Sequence, residues 1–222
     1  AKKDFFIDGA APTLSTITSP PARVNGSDVF VTLRCLDNVA CKSIVYKINT
    51  EETLHVANGP FTADGSLTVR IESPEYDGMH EAVFNGVDTV ENTNAAPEKQ
   101  VKLSWTRDTT APDGKISIAR DGNYIDVSVT SDNTDVQLYH CALELVLENQ
   151  DGQSCNEATQ FETVDLFELT PSLLTWRSGL LNGGRYRATV IAVDDLNNRQ
   201  TVAGISSTLL VSTTEQEPLT NI

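Results

Sequence analysis

The sequence has few aromatic residues, few basic residues and no long apolar run. Aromatic residues make up 6% of its 222 residues, and 31 acidic residues outnumber 16 basic ones, for a formal net charge of −15. The longest apolar runs, such as VIAV and ALELVL, are far shorter than the roughly 20 residues of a membrane-spanning helix. The acidic excess repels nucleic-acid phosphates and anionic lipid surfaces. The composition therefore argues against a nucleic-acid partner and against membrane insertion.

Residue patterns typical of catalysis are also missing. The sequence has only three histidines, His55, His80 and His140, and it has no G-x-S-x-G, H-E-x-x-H, P-loop or dinucleotide-binding motif. Adjacent carboxylates such as Asp194 and Asp195 fall in predicted loops at the end of a sandwich, where no apolar pocket is expected. Acid–base catalysis by a carboxyl group needs such a pocket to raise its pKa. We therefore expect a protein that is not an enzyme and requires no cofactor.

The four cysteines form two pairs that are close in sequence. Cys35 is near Cys41, and Cys141 is near Cys155. No C-x-x-C spacing occurs, which disfavours a zinc site or a thioredoxin-like site. The simplest connectivity is two local disulfides, and disulfides indicate an oxidising compartment. We therefore expect an extracellular or cell-surface location, or a periplasmic one.

Strand signals recur at short spacing along the whole chain. Each is β-branched or alternates polar and apolar residues, and each is bounded by Gly, Asn, Asp or Pro. Helical periodicity is nearly absent, and only residues 158–169 (ATQFETVDLFEL) are assigned to no element. The pattern predicts an all-β chain with strands at VFVTLRC (29–35), SIVYKI (43–48), SLTVRI (66–71), HEAVF (80–84), KQVKLSW (99–105), KISIA (115–119), YIDVSV (124–129), LYHCALELVL (138–147), RYRATVIAV (185–193) and STLLVS (207–212).

An internal repeat divides the chain into two domains of similar plan. The run Asp8-Gly9-Ala10-Ala11-Pro12 follows the apolar KDFFI, and Asp108-Thr109-Thr110-Ala111-Pro112 follows KLSWTR, an offset of 108 minus 8, or 100 positions. Since a β-sandwich domain takes roughly 100 residues, two domains are expected. We predict a junction strand or leader at 1–9, one sandwich at 10–108, a second at 109–214 and a tail at 215–222.

A second match lies near the end of each repeat. At an offset of 194 minus 88, or 106 positions, six residues of the first domain align with six of the second. The pairs are Gly78 with Gly184, His80 with Tyr186, Phe84 with Val190, Val87 with Val193, Asp88 with Asp194, and Asn92 with Asn198. This match predicts one shared strand and turn in both domains.

The second domain resembles a fibronectin type III domain, and the first resembles a bacterial immunoglobulin-like repeat. The run LLNGGRYRATVIAVDDLNN (180–198) is similar to the E–F corner and F strand of fibronectin type III domains, which places Tyr186 at the tyrosine corner and His80 at the same position of the first domain. TLRCLDNVACKSIVYKIN and DGMHEAVFNGVDTVEN are similar to repeats related to chitobiase C-terminal domains. The resemblance implies two tandem immunoglobulin/fibronectin-III-like β-sandwiches from an extracellular multidomain protein.

Calcium is the ligand that the acidic turns favour. Calcium takes six to eight oxygen ligands, and loop carboxylates and amides can supply them. The D-x-x-x-N turns lie near one end of each predicted sandwich, and Asp8 or Asp108 could face them. No EF-hand loop is present, and such a turn can also simply close a hairpin. The candidate ligands are Asp88, Glu91, Asn92, Asp108, Asp194, Asp195 and Asn198.

Aromatic residues give a weaker indication of a sugar site. Such a site needs two or three exposed rings in a row, and Trp176, Tyr124 and Tyr76 are the only candidates. Trp176 also fits a core position, whereas Arg177 falls where an inward apolar residue is expected. Trp105 is expected to pack at the boundary between the domains.

The function expected from these features is a non-catalytic structural or adhesive module of a bacterial surface or secreted protein. Its partners would be other domains of the same chain, a cell-surface protein or a glycan. The alternative is an accessory carbohydrate-binding or linker module of a secreted hydrolase. The five junction residues from Asp108 to Pro112 span at most about 3.5 Å each, which predicts domains arranged head to tail as a rod.

Overall fold

The computed structural model describes residues 8–93, 96–147 and 160–212. The chain divides into two units, Ala1–Thr109 and Thr110–Ile222. We refer to them as the first and the second unit. Across the described residues the secondary structure is all β, apart from one short 3₁₀ turn at Pro97–Lys99. No helix among these residues is long and apolar enough to cross a membrane.

The first unit is a sandwich of two sheets. One sheet has the strand order β1-β3-β6 and the other has the order β2-β8-β7-β4-β5. All pairings are antiparallel except that of β2 with β8, which is parallel. The strands are β1 Thr13–Thr18, β2 Arg23–Val24, β3 Asp28–Leu36, β4 Cys41–Ile48, β5 His55–Asn58, β6 Ser66–Glu72, β7 Gly78–Asp88 and β8 Val101–Arg107.

Alternate residues of these strands point between the sheets and form the first core. In β3, for example, Val29, Val31 and Leu33 are buried while the residues between them face outward. Trp105 belongs to this core, with 2% of its surface exposed, and its indole N–H donates to Ser73 Oγ at 3.0 Å. The expectation that Trp105 packs at the boundary between the domains was therefore wrong.

The second unit is also a sandwich of two sheets. One sheet has the order β13-β10-β9, and the other has the order β12-β11-β14-β15, with β16 also paired to β14. The strands are β9 Gly114–Asp121, β10 Tyr124–Ser131, β11 Val136–Leu147, β12 Gln160–Leu169, β13 Thr175–Arg177, β14 Gly184–Asp194, β15 Gly204–Ile205 and β16 Leu209–Val211.

Two neighbouring clusters of buried side chains fill this second sandwich, and Trp176 packs against both of them. The ring of Trp176 stacks on Phe167, with centroids 4.0 Å apart. Arg177 points the other way, out to solvent, where it binds Asp126 at 2.6 Å and Asp121 at 2.9 Å. The inward position in β13 is thus Trp176, and Arg177 pairs with carboxylates on the outer side.

The structure confirms the fold class predicted from the sequence, and every strand predicted there is present. Strand β8 begins two residues after the predicted start of KQVKLSW, because Lys99 belongs to the 3₁₀ turn Pro97–Lys99. The unassigned stretch at 158–169 contains β12. Strands β1, β2, β5, β13 and β15 were not predicted.

Candidate functional site

The two matched segments of the sequence form the same strand in both units. Strand β7 runs from Gly78 to Asp88 and β14 from Gly184 to Asp194, so their bounds coincide at the offset of 106 positions. Each strand has a buried hydrogen-bonding ring near its start and a buried carboxylate at its end. These two features frame the candidate site.

Tyr186 forms the corner that the resemblance implied. Its side chain is 3% exposed, and its hydroxyl donates to the carbonyl oxygen of Asn182 at 3.0 Å, four residues upstream. Burial raises the pKa of this phenol. The hydrogen bond joins the strand to the loop before it and leaves no reactive group exposed, so the role of Tyr186 is structural.

His80 occupies the same position in the first unit and makes the same bond. Its side chain is fully buried, and its Nε2 lies 3.1 Å from the carbonyl oxygen of Tyr76, again four residues upstream. The other ring nitrogen, Nδ1, lies 3.0 Å from the side-chain amide nitrogen of Asn49. Because the amide nitrogen can only donate, Nδ1 accepts and Nε2 donates. The imidazole therefore replaces the phenol as the corner donor.

Asp88 closes the turn at the end of β7. Its carboxylate is fully buried; Oδ1 accepts from the backbone amides of Val90 and Asn92 at 2.8 Å each, and Oδ2 accepts from the side-chain amide of Asn92 at 2.8 Å. Burial raises the pKa of this carboxyl, but the hydrogen bonds from Asn92, Val90 and Glu91 outweigh burial and hold it below its ordinary value. Asp88 is thus a buried anion with several donors.

Asp194 repeats the arrangement in the second unit. Its Oδ1 accepts from the backbone amides of Leu196 at 2.9 Å and Asn198 at 2.7 Å, and its Oδ2 accepts from the side-chain amide of Asn198 at 2.8 Å. Both turns also contain a residue with a positive φ at the same position, Glu91 at 71° and Asn197 at 66°. The D-x-x-x-N motif therefore builds the same turn twice.

Three carboxylates converge beside the turn of the first unit. Asp8, Asp37 and Asp88 each offer an oxygen, and these oxygens lie within 4.8 Å of one another. We call this group the acidic cluster. Asp37 also accepts from the backbone amides of Val39 at 2.8 Å and Ala40 at 3.1 Å, which fixes the loop between the two cysteines. The repeated acidic turns predicted a role for Asp8 and Asp88 here, but no sequence pattern pointed to Asp37.

The donor set of the acidic cluster fits a calcium ion. Oδ1 of Asp8 accepts from Ala10 N at 3.0 Å and from Asn38 Nδ2 at 3.2 Å, whereas its Oδ2 is buried and has no hydrogen-bond partner. A buried carboxylate oxygen without a donor is unfavourable unless a cation or water compensates it. Carboxylate oxygens are the ligands that calcium prefers, and water can complete its coordination.

The other predicted ligands have different positions. Glu91 is exposed and pairs with Lys42. The side-chain nitrogen of Asn92 donates to the backbone carbonyl oxygen of Asp8 at 3.1 Å and so holds Asp8 near the turn. Asp108 lies in the first unit and forms a salt bridge with Arg23 at 2.6 Å. The backbone amide of Asp195 donates to the carbonyl oxygen of Asp135 at 3.2 Å. Calcium binding by these residues stays a prediction.

The candidate sugar-binding aromatics have partners of their own. Trp176 is stacked within the second core, as described above. Tyr124 is 39% exposed, and the guanidinium of Arg177 lies over its ring at 5.8 Å. Tyr76 is 60% exposed, and its hydroxyl accepts from Asn49 at 2.9 Å. Tyr76 belongs to the first unit and the other two rings to the second, so neither unit contains all three candidate rings.

The cysteines of the first unit form the predicted disulfide. Cys35 and Cys41 are joined by a bond of 2.01 Å. Cys141 is a free thiol in the structure, buried in the second core, and this burial raises its pKa to about 12. Its predicted partner, Cys155, lies outside the described residues.

The two remaining histidines also have packing partners. The ring of His55 stacks on Tyr46, with centroids 5.0 Å apart, and its Nε2 lies 3.4 Å from a carboxylate oxygen of Glu51. His140 pairs with Glu168 at 3.0 Å on the outer face of its sheet. All three histidines thus make contacts within their own unit.

Solved structures that resemble the chain are fibronectin-III-like and immunoglobulin-like modules. The fibronectin(III)-like modules of Clostridium thermocellum CbhA share 12% identity over 90% of this chain and 94% of theirs, with a TM-score of 0.38. A Ca²⁺-stabilized adhesin of an Antarctic bacterium shares 18% over 91% of this chain and 48% of its own, with a TM-score of 0.47. A 1.5-MDa bacterial ice-binding adhesin shares 16% over 95% and 67%, with a TM-score of 0.48. No protein-family model and no curated protein matches the sequence.

Proposed function

We propose that the chain is a non-catalytic structural spacer of a bacterial surface or secreted protein, and that its first unit bears mechanical load. The observation that carries this proposal is the parallel pairing of β2, the second strand of that unit, with β8, its last strand. The Cys35–Cys41 disulfide supports an extracellular location, because such bonds persist in oxidising compartments.

Two backbone hydrogen bonds and a salt bridge support the pairing of β2 with β8. The backbone amide of Thr106 donates to Ala22 O at 2.9 Å, and that of Asp108 donates to Val24 O at 2.9 Å. The salt bridge from Arg23 to Asp108, at 2.6 Å, adds a side-chain link. Once β1 has separated from β3, pulling the chain from both sides slides β2 along β8, because these two strands are parallel. The bonds between β2 and β8 are then loaded together rather than one after another.

The second unit provides an internal comparison. Its first strand, β9, pairs only with β10 in the described part of the chain. Among the described residues no strand pairing joins β9 to the last strand, β16; Arg120 donates to the carbonyl oxygens of Leu210 in β16 at 3.3 Å and of Ser212 just after it at 3.2 Å. We therefore expect the second unit to yield at a lower force than the first.

Single-molecule pulling of the full chain between two marker domains tests this proposal. Two unfolding events are expected, and Thr106→Pro should lower the force of the stronger one, because proline has no amide to donate to Ala22. Arg23→Ala should do so to a smaller extent. Arg120→Ala, the matched control, should leave the stronger event unchanged. If both events occur at the same low force and neither first-unit variant changes them, the spacer function is wrong.

Calcium binding by the acidic cluster is a second proposal, and the buried unpaired oxygen of Asp8 favours it. Calcium would hold the segment before β1, the loop between the cysteines and the turn after β7 together. An ion that binds only the folded state stabilises it by mass action. Calcium would therefore strengthen the spacer without taking part in any reaction.

Calorimetric titration of the chain with calcium chloride tests this second proposal. We expect calcium to bind and to raise the melting temperature of the first unit. Asp37→Asn should abolish that binding event, whereas Glu75→Gln, which removes one exposed charge away from the acidic cluster, should retain it. Binding that is absent, or that is equally weak in both variants, would contradict a site at the acidic cluster.

The alternative, an accessory carbohydrate-binding or linker module of a secreted hydrolase, rests on fewer observations. Its candidate rings are packed or engaged as described above. Binding of the chain to insoluble chitin or cellulose that is lost in Tyr124→Ala would favour this alternative.

A further inference from the structure

The last inference concerns the outer strand of one sheet in the second unit. Strand β12 pairs with β11 from Gln160 to Leu169 and with no other strand in the described residues. An outer strand of this kind leaves the N–H and C=O groups of alternate residues unpaired along its free side. We call this side the β12 edge.

The side chains of β12 are open to solvent over most of its length. Eight of its ten residues are exposed, and only Leu169 is buried. Three of the exposed side chains are large and apolar: Leu166 is 74% exposed, Val164 is 43% exposed and Phe161 is 36% exposed. The strand contains no proline and no glycine, so every residue has an amide hydrogen and a strand-compatible backbone.

The charge of the strand has one sign. Glu162, Asp165 and Glu168 are acidic, and residues 160–169 include no lysine or arginine. The basic groups nearby are already engaged, since His140 pairs with Glu168 at 3.0 Å and Arg187 binds Glu144 at 2.6 Å while covering the Phe161 ring. In the part of the chain that the structure describes, the β12 edge therefore combines backbone groups outside any strand pairing, apolar side chains and a net negative charge.

We propose that the β12 edge binds an extended peptide segment that alternates basic and apolar residues, and that this segment adds a strand to the sheet. Backbone hydrogen bonds would supply affinity, and the acidic and apolar side chains would select the partner. A second copy of this chain is disfavoured, because β12 paired with itself would bring together two strands of the same negative charge. The bulge at Val164 leaves Asp165–Leu169 as the longest regular run.

A capped ten-residue peptide of alternating lysine and valine is a suitable probe for the full chain. We expect calorimetry at low salt to detect binding and hydrogen exchange to show slower exchange of β12 amides. The triple variant Glu162→Gln, Asp165→Asn, Glu168→Gln should bind about tenfold more weakly, since each exposed pair contributes about 0.5 kcal/mol. The control triple Glu72→Gln, Glu75→Gln, Glu81→Gln removes the same charge from the first unit and should bind as the unchanged chain does.

A second peptide separates strand pairing from simple charge attraction. It has the same number of lysines, but every third residue is proline, so it cannot form a continuous strand. We expect it not to bind. Equal binding of both peptides, equal weakening by both triple variants, or protection of amides other than those of β12 would overturn the proposal. Dimers of the chain with protected β12 amides would identify a second copy as the occupant and would also overturn it.

Discussion

The imidazole Nε2 of His80 donates to the carbonyl oxygen of Tyr76 at 3.1 Å, four residues upstream, as the hydroxyl of Tyr186 does to Asn182 in the second unit. Two chemically different side chains thus close the same corner. The corner position requires a buried ring whose hydrogen-bond donor can reach the carbonyl oxygen four residues upstream. Both residues can therefore be tested by removing that donor.

Replacing His80 with phenylalanine should destabilise the first unit. The change keeps a ring but removes the donor to the Tyr76 carbonyl and one of the two acceptors of the Asn49 amide, which costs about 1–3 kcal/mol of unfolding free energy. Urea denaturation followed by fluorescence measures this loss. His55→Phe is the control: it keeps the stack on Tyr46 and removes only a half-exposed contact, so it should change stability by less than about 0.5 kcal/mol.

Tyr186→Phe should destabilise the second unit by about 1 kcal/mol, because a single buried hydrogen bond is lost while the ring remains packed. Tyr124→Phe removes a hydroxyl from an exposed ring in the same unit and should have no measurable effect. Equal stability of both variants in a denaturant titration would show that the corner bond contributes nothing.

The stability of the first unit should depend on the protonation of Asp88. The pKa of Asp88 is lower in the folded chain than its ordinary value of 3.8, so its stabilising effect is present above pH 3.8 and is lost as the pH falls through the folded value. Asp88→Asn should reduce the pH dependence of the melting temperature in that acidic range. Glu75→Gln should leave the dependence unchanged. A melting curve of Asp88→Asn that follows the same acid profile would contradict this role.

The cysteines should differ in reactivity. With its pKa raised to about 12, folded Cys141 should react with iodoacetamide roughly a thousandfold more slowly at pH 8 than the unfolded thiol, because only the thiolate attacks. Cys35 and Cys41 should react only after reduction. Peptide mapping with and without reductant measures both. A Cys141–Cys155 cross-linked peptide would instead support the second disulfide that the spacing predicts.

Most inner strands of both units could be predicted from the alternation of polar and apolar residues, because that pattern marks a strand with one buried face. Strand β12 was not assigned, because nearly all its side chains face solvent and the bulge at Val164 interrupts the period of two. Short strands such as β2 and β13 were missed for a related reason. Two or three residues carry no readable period, and only pairing with a neighbour makes them strands.

The repeated plan of the two units can be deduced from the amino-acid order alone, because the residues that build the corner, the strand and the turn recur at a fixed offset and act locally. Tyr186, Asp88 and Asp194 each bond to groups at most four residues away. The meeting of groups that are distant in the chain follows from the three-dimensional fold. Asp37 lies with Asp8 and Asp88 because the C-terminal ends of β3 and β7 are both near Asp8. Strand β2 pairs with β8 because both strands belong to the same sheet. Such contacts depend on sheet topology, which local spacing does not encode.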